Sequence, residues 1–255
     1  MSTYRFQPQV RPTVALHTNR RKTRPGLGIG LSVVVVVLLV VAAIGADTPF
    51  ERAAFVAFAL AMAFFGWYVK ELAAAQERGY VRIADTGDLR FTPSPTLSVL
   101  PLAIAVTGTA PLALRIVAAV VGEEFGTGRG SIWMVIASGA SLIWLGQQLW
   151  SLRLPAGLTV SDDGVLGVRG AGAINCAWQD VAGFFIMQTA TGDALVIESP
   201  VRNFRPIPAG PIGSDPAAVA SILEHLRLYP ADRARLVSGR DAIRAVEAVH
   251  ASQAD

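Results

Sequence analysis

Long apolar stretches broken by short polar ones fill the first 152 residues of the chain. The first, Pro25 to Ala46, carries no charged residue and is opened by Arg20, Arg21, Lys22 and Arg24. As a helix it reaches about 33 Å, enough to cross the hydrocarbon core of a bilayer. The pattern predicts four membrane-spanning helices at about 26–46, 53–69, 97–121 and 131–152. They form a transmembrane domain over 25–152, behind a basic cytosolic tail at 1–24. Between the second and third spans the period changes: Val81, Ile83, Leu89 and Phe91 alternate, which predicts a β-hairpin over 80–91.

Beyond the fourth span the chain reads as soluble. Leu158 to Val160 alternates, Asp162-Asp163-Gly164 turns and Val165 to Val168 runs on. A second hairpin spans Phe184 to Ile197 around Thr191-Gly192-Asp193, and a short strand falls near Phe204 to Ile207. Asp215-Pro216 is a helix start, with Asp as cap and Pro in the first turn. Val219, Ile222, Leu223, Leu226 and Leu228 give that helix an apolar stripe, and Pro230 ends it. Residues 230–255 read as a polar, partly helical tail with little to bury.

Arginines and lysines set the expected orientation. Arg5, Arg11, Arg20, Arg21, Lys22 and Arg24 precede the first span, Lys70, Arg78, Arg82 and Arg90 follow the second, and Arg153 follows the fourth. The remaining two connections carry only Arg52 in one and Arg129 with the deeper Arg115 in the other, beside Asp47, Glu51, Glu123 and Glu124. The positive-inside rule then puts both termini and the middle loop in the cytoplasm of a multi-pass plasma-membrane protein. A cleaved leader is the rival reading of the first span; its apolar length and the second span close behind argue against cleavage. Gly26 and Gly30, Ala57 and Ala61, Ala105, Thr109 and Ala113, and Ala137 and Ser141 recur every four positions, a spacing that lets helices approach closely in lipid.

The plan is duplicated. One shift lays Arg52 on Arg129, Trp67 on Trp144, Leu72 on Leu149, and Asp85, Gly87 and Leu89 on Asp162, Gly164 and Leu166. Val81, Ile83 and Phe91 fall on Leu158, Val160 and Val168. Each unit is a helical hairpin followed by a β-hairpin. The first β-hairpin has an apolar face that nothing local covers, and the C-terminal segment is short of strands. The two are therefore expected to pair in one composite domain.

Composition narrows the class. Apolar residues make up 52% and charged residues 16%, against about one quarter charged in globular domains. The net charge of +3 is nearly all arginine, with Lys22 and Lys70 the only lysines, as in a GC-rich bacterial genome of actinobacterial type. Cys176 is the single cysteine, which excludes an intrachain disulfide and a cysteine-based zinc cluster. The arginines flank apolar spans without interleaved aromatics, which argues against nucleic acid as a partner.

Gly157-Leu-Thr-Val-Ser-Asp-Asp-Gly-Val165, then Ile174 and Ala177-Trp178-Gln179-Asp180-Val181, resembles the bacterial pleckstrin-homology-like (PH-like) domain over about 154–229. The resemblance implies an antiparallel β domain closed by a C-terminal helix. The fold class expected is thus an α+β membrane protein: a four-helix transmembrane bundle plus a cytosolic PH-like domain.

Candidate residues fall into two groups. Arg169, Arg202 and Arg205 are candidates for contact with anionic lipid or a protein partner, with solvated loop arginines as the plainer reading. Arg115 is an ionisable residue within a span, and Gln147 and Gln148 are polar ones; together they suggest a polar path. A snorkelling Arg115 paired with Glu123 or Glu124 is the plainer alternative. Trp178 marks either a ligand groove or, the favoured reading, the plug of a small core. Gly126-Thr127-Gly128-Arg129-Gly130 lacks the lysine of a phosphate loop, and no Ser-His-Asp, paired-carboxylate or metal constellation appears. No cofactor is expected. The function expected is non-enzymatic: a module for lipid or protein interaction at the inner membrane face. The alternative is a small transporter or channel subunit, which requires a homo-oligomer.

Overall fold

A computed structural model describes residues 2–5, 25–77, 79–84, 88–125, 129–154, 156–167, 173–189, 192–201, 206–237, 239, 241 and 243–244. The chain divides into two compact units, one of Arg24–Glu71 and Thr96–Trp150, the other of Met1–Thr23, Leu72–Pro95 and Ser151–Asp255.

Four helices build the first unit: α1 (Pro25–Ile44), α2 (Pro49–Ala75), α3 (Pro95–Val121) and α4 (Arg129–Ser151). Three of the first four helix starts use proline, whose fixed φ suits the first turn and whose missing N–H is not needed there. Among the described residues α2, α3 and Ile132–Ser151 of α4 are long and apolar enough to cross a membrane, and α1 is apolar over Gly28–Ile44. At most 22% of any of the three windows is buried; Val120 and Ile143 stand exposed, as do Leu31 and Leu38 of α1. Apolar side chains on the outside invert the usual globular pattern.

Helix α2 outruns its expected span at both ends. The Thr48 hydroxyl accepts from Glu51 N (3.2 Å) and starts the helix early, and the backbone ladder continues through Lys70 and Glu71. Hydropathy locates an apolar core, whereas capping locates helix ends.

Small residues bring the helices together, at partly different positions from those expected. A side chain on Gly28 would meet Val69, and one on Gly66 would meet Ser32 (3.1 Å). Moving up α1 while moving down α2 makes the pair antiparallel. In the second pair Gly108 faces Ser141. Gly26 and Gly30 face open space, so the stripe on α1 is Gly28 and Ser32, two positions on from the expected one.

The second unit is an antiparallel β domain assembled from separate parts of the sequence. Its first sheet runs in chain order through β1 (Ser2–Arg5), β2 (Tyr80–Ile83), β3 (Leu89–Phe91), β4 (Leu158–Val160), β5 (Gly164–Gly167) and β6 (Ile174–Ala177). Its second sheet is β7 (Gly183–Thr189), β8 (Gly192–Glu198) and β9 (Ile207–Pro208). The composite pairing predicted from the uncovered hairpin is present: Leu89, Arg90 and Phe91 lie opposite Val160, Thr159 and Leu158. Gly157 permits the join, because its φ is +92° and a side chain there would collide with the Phe91 carbonyl.

Three readings are corrected. The N-terminal tail contributes strand β1, paired with β2. The duplication holds on the incoming strands, where Val81 and Ile83 match Leu158 and Val160, all fully buried. It breaks on the returning strand: Ile83 faces Phe91, but Val160 faces Val165, so Leu166 turns outward while Leu89 is buried. A shorter second turn changes the register, and a slip of an odd number of positions exchanges faces. Finally, the tail has apolar groups to bury, since Leu236 and Ile243 lie in the core.

Between β9 and α6 (Pro216–Leu228) lies the short helix α5 (Ala209–Ile212). Helix α6 is buried around most of its circumference, Ala218, Ser221 and His225 included, while Leu228 of the expected stripe is exposed. One core joins side chains of both sheets to α6, Leu236 and Ile243.

Candidate interaction surface

The joint between β2 and the start of α6 is a backbone clamp. Asp215 caps α6 by accepting from Ala217 N (3.0 Å), as the Asp-Pro signal predicts, and its other oxygen accepts from Gly79 N (2.7 Å). Asp215 N donates to the Tyr80 carbonyl (2.7 Å), and the Ser214 hydroxyl accepts from Arg82 N (2.9 Å). Gly213 turns the chain into this clamp at φ +62°, where a side chain would collide with Pro93 and the Thr92 carbonyl. A segment near residue 80 and one near residue 215 are thereby fixed to each other.

Trp178 lies in the core rather than along an open groove, at 7% exposure. Its indole N–H donates to the Ser161 carbonyl (2.9 Å), which meets the one polar need of the side chain. Phe184 meets the ring edge-on at 6.2 Å between centroids, and the Arg233 guanidinium stands 4.4 Å from the ring centre. Burial lowers the Arg233 pKa from its ordinary value, and the negative charge of Asp162 opposes that shift.

Arg233 also closes the C-terminal end of α6. Its Nε donates to the Leu226 carbonyl (2.8 Å) and a terminal nitrogen to the Arg227 carbonyl (3.2 Å), two of the acceptors a helix end leaves open. His225, buried in the same turn, bonds Asp232 at 2.9 Å and lies against the Tyr229 ring. These contacts fold residues 230–237 back along α6 and explain why its second face is buried. Nearby, Glu224 accepts from both Arg227 and Phe184 N, and the Arg227 bond raises that arginine's pKa against the effect of burial.

The residues proposed from sequence are not gathered into one site. Arg169, Arg202 and Arg205 lie outside the described residues. Arg115 stands over the Phe125 ring at 5.8 Å, and among the described residues it forms no ion pair with Glu123 or Glu124. Gln147 is exposed and Gln148 half-buried. The Gly108–Ser141 contact fixes the stagger of α3 against α4, and from it Arg115 lies one way along the pair and the glutamines the other. At 1.5 Å per residue they are about 20 Å apart along the helix axes. Among the described residues no cluster of His, Cys, Asp and Glu could hold a metal ion.

Sequence reasoning passed over the polar face of the middle hairpin. Ile83 opposite Phe91 sets the core face, so Arg82, Arg90 and Thr92 share the other. The alternation that identified Val81, Ile83, Leu89 and Phe91 as inward residues assigns these to the outer face as well.

Comparison with known protein families, with curated proteins and with solved structures yields no match. The class established by the structure is therefore an α+β chain with three membrane-capable helices and an antiparallel β domain.

Proposed function

We propose that the chain is a non-enzymatic, four-span protein of the bacterial plasma membrane that holds a PH-like domain at the inner face for interaction with lipid or a protein partner. One observation carries the membrane arrangement: strands on either side of each helical pair, in sequence, belong to one sheet. Strand β1 precedes α1 and α2, while β2 follows them; β3 precedes α3 and α4, while β4 follows them. A sheet cannot be split across a bilayer, so each pair must cross an even number of times. If α2 crosses, α1 crosses with it.

Two antiparallel sheets sharing a core with α6 support the PH-like reading, and the middle hairpin supplies the strands that the C-terminal segment lacked. The arginine asymmetry supports an inward-facing domain. The test is protease digestion of membrane vesicles of each orientation. Inside-out vesicles should lose the C-terminal part of the chain and right-side-out vesicles should protect it. Cleavage after Pro200 in right-side-out vesicles overturns the proposal.

A further inference from the structure

We propose that Arg82, Arg90 and Thr92 form a binding site for the phosphate of an anionic lipid headgroup on the outer face of the six-stranded sheet; this rests on the membrane reading above. Thr92 N donates to the Arg82 carbonyl (3.3 Å), which sets the two residues directly opposite, on the face away from the core. Arg90 lies two positions before Thr92 on the same strand and face. Opposed residues on neighbouring strands are about 5 Å apart at Cβ and diagonal ones, as Arg82 and Arg90 are, about 7–8 Å, so Thr92 and the two long arginine side chains can reach one tetrahedral anion.

Thr92 and Arg90 each place a buried polar atom without a partner on this face. The Thr92 side chain is 9% exposed, and its hydroxyl is buried with no hydrogen-bond partner. Arg90 spends one terminal nitrogen on the Ala156 carbonyl (2.8 Å), while its Nε–H is buried and has no partner. A buried hydroxyl and a buried guanidinium N–H ordinarily find acceptors. Tyr80, Arg82, Arg90, Thr92 and Thr159, the neighbouring outward positions on β2 to β4, include no carboxylate. An oxyanion supplies the missing acceptors, and phosphate matches the arginine fork. A headgroup is the source chosen because the helical pairs tether this domain to a leaflet whose surface is negative.

The test uses the full chain in neutral detergent, titrated with short-chain phosphatidylglycerol, short-chain phosphatidylcholine or inorganic phosphate, with binding read by thermal shift and native mass spectrometry. Phosphatidylglycerol should bind and raise the melting temperature; phosphatidylcholine should bind less well. Arg90→Gln and Thr92→Val should each weaken binding about tenfold, the scale of one lost charge-assisted hydrogen bond. Arg90→Lys keeps the charge but loses the fork, and should fall between Arg90→Gln and the unaltered chain; it serves if Arg90→Gln fails to fold. Equal affinity for phosphatidylglycerol in all variants overturns the site. Saturation by inorganic phosphate with no lipid bound overturns the headgroup as its source. Retention in the membrane after alkaline carbonate extraction is scored separately, so failure of the site is distinguishable from failure of the membrane reading.

Discussion

Trp178 and Asp215 show how much depends on single side chains in this β domain. Trp178 fills the space between Phe184 and Arg233 and donates to Ser161. Trp178→Ala should cost about 3–5 kcal/mol, the usual penalty for emptying a large aromatic site. Near-UV circular dichroism of the full chain should show a much lower melting temperature, with Trp178→Phe intermediate because it retains a ring and loses the hydrogen bond. An unchanged melt would return Trp178 to the groove reading. Asp215→Ala removes a helix cap and orphans Gly79 N–H, so a loss of about 2–4 kcal/mol follows from the two effects together. Hydrogen exchange is the direct check: amides at Gly79 and Ala217 should both lose protection. The cap was legible in the sequence as Asp-Pro. The second bond was not, because nothing local in Gly79 announces a partner 136 positions away.

Elements were legible where burial acted on one face alone. The middle hairpin alternates cleanly, and all four of its inward residues are fully buried. Strand β1 gave no such signal: Ser-Thr-Tyr-Arg joins an edge by backbone hydrogen bonds, which need no apolar pattern. The second face of α6 was hidden for a different reason. Ala218, Ser221 and His225 look outward-facing until Leu236 and Ile243 are placed over the same core. The candidate site was the least legible part. Arg169, Arg202 and Arg205 attracted attention as basic residues of a module near a negative leaflet, whereas Arg82 and Arg90 sat in a hairpin read for its apolar half. Among the helices, small-residue spacing identified the kind of contact and missed its phase. A cysteine pair at Ser32 and Gly66 should therefore crosslink under mild oxidation, since the Cβ positions lie 3.1 Å apart and a small shift brings them to disulfide spacing. A pair at Gly30 and Gly66 should not. The reverse result would restore the expected stripe.

At the scale of the whole molecule, the question is whether α1 crosses the membrane. Its charge-free run, Pro25 to Ala46, is long enough to span, and the fold decides whether it does. The proposed topology answers through sheet continuity, since β1 and β2 must share a compartment while α1 and α2 lie between them. The connection between α1 and α2 then lies outside, as does that between α3 and α4, and the turn between β2 and β3 lies inside. The only native thiol, Cys176, is buried, so the unaltered chain offers a quiet background for labelling. Asp47, Asp88 and Glu124 are each exposed within one of these connections. In intact cells, Asp47→Cys and Glu124→Cys should react with an impermeant maleimide, and Asp88→Cys should react only after permeabilisation. If α1 lay along the inner surface instead, Asp47→Cys would be protected, and the single crossing of α2 would carry Asp88 outside. Labelling at Asp88 with protection at Asp47 would thus separate β1 from β2 by a bilayer. That outcome is incompatible with the six-stranded sheet and would overturn both the topology and the composite domain built on it.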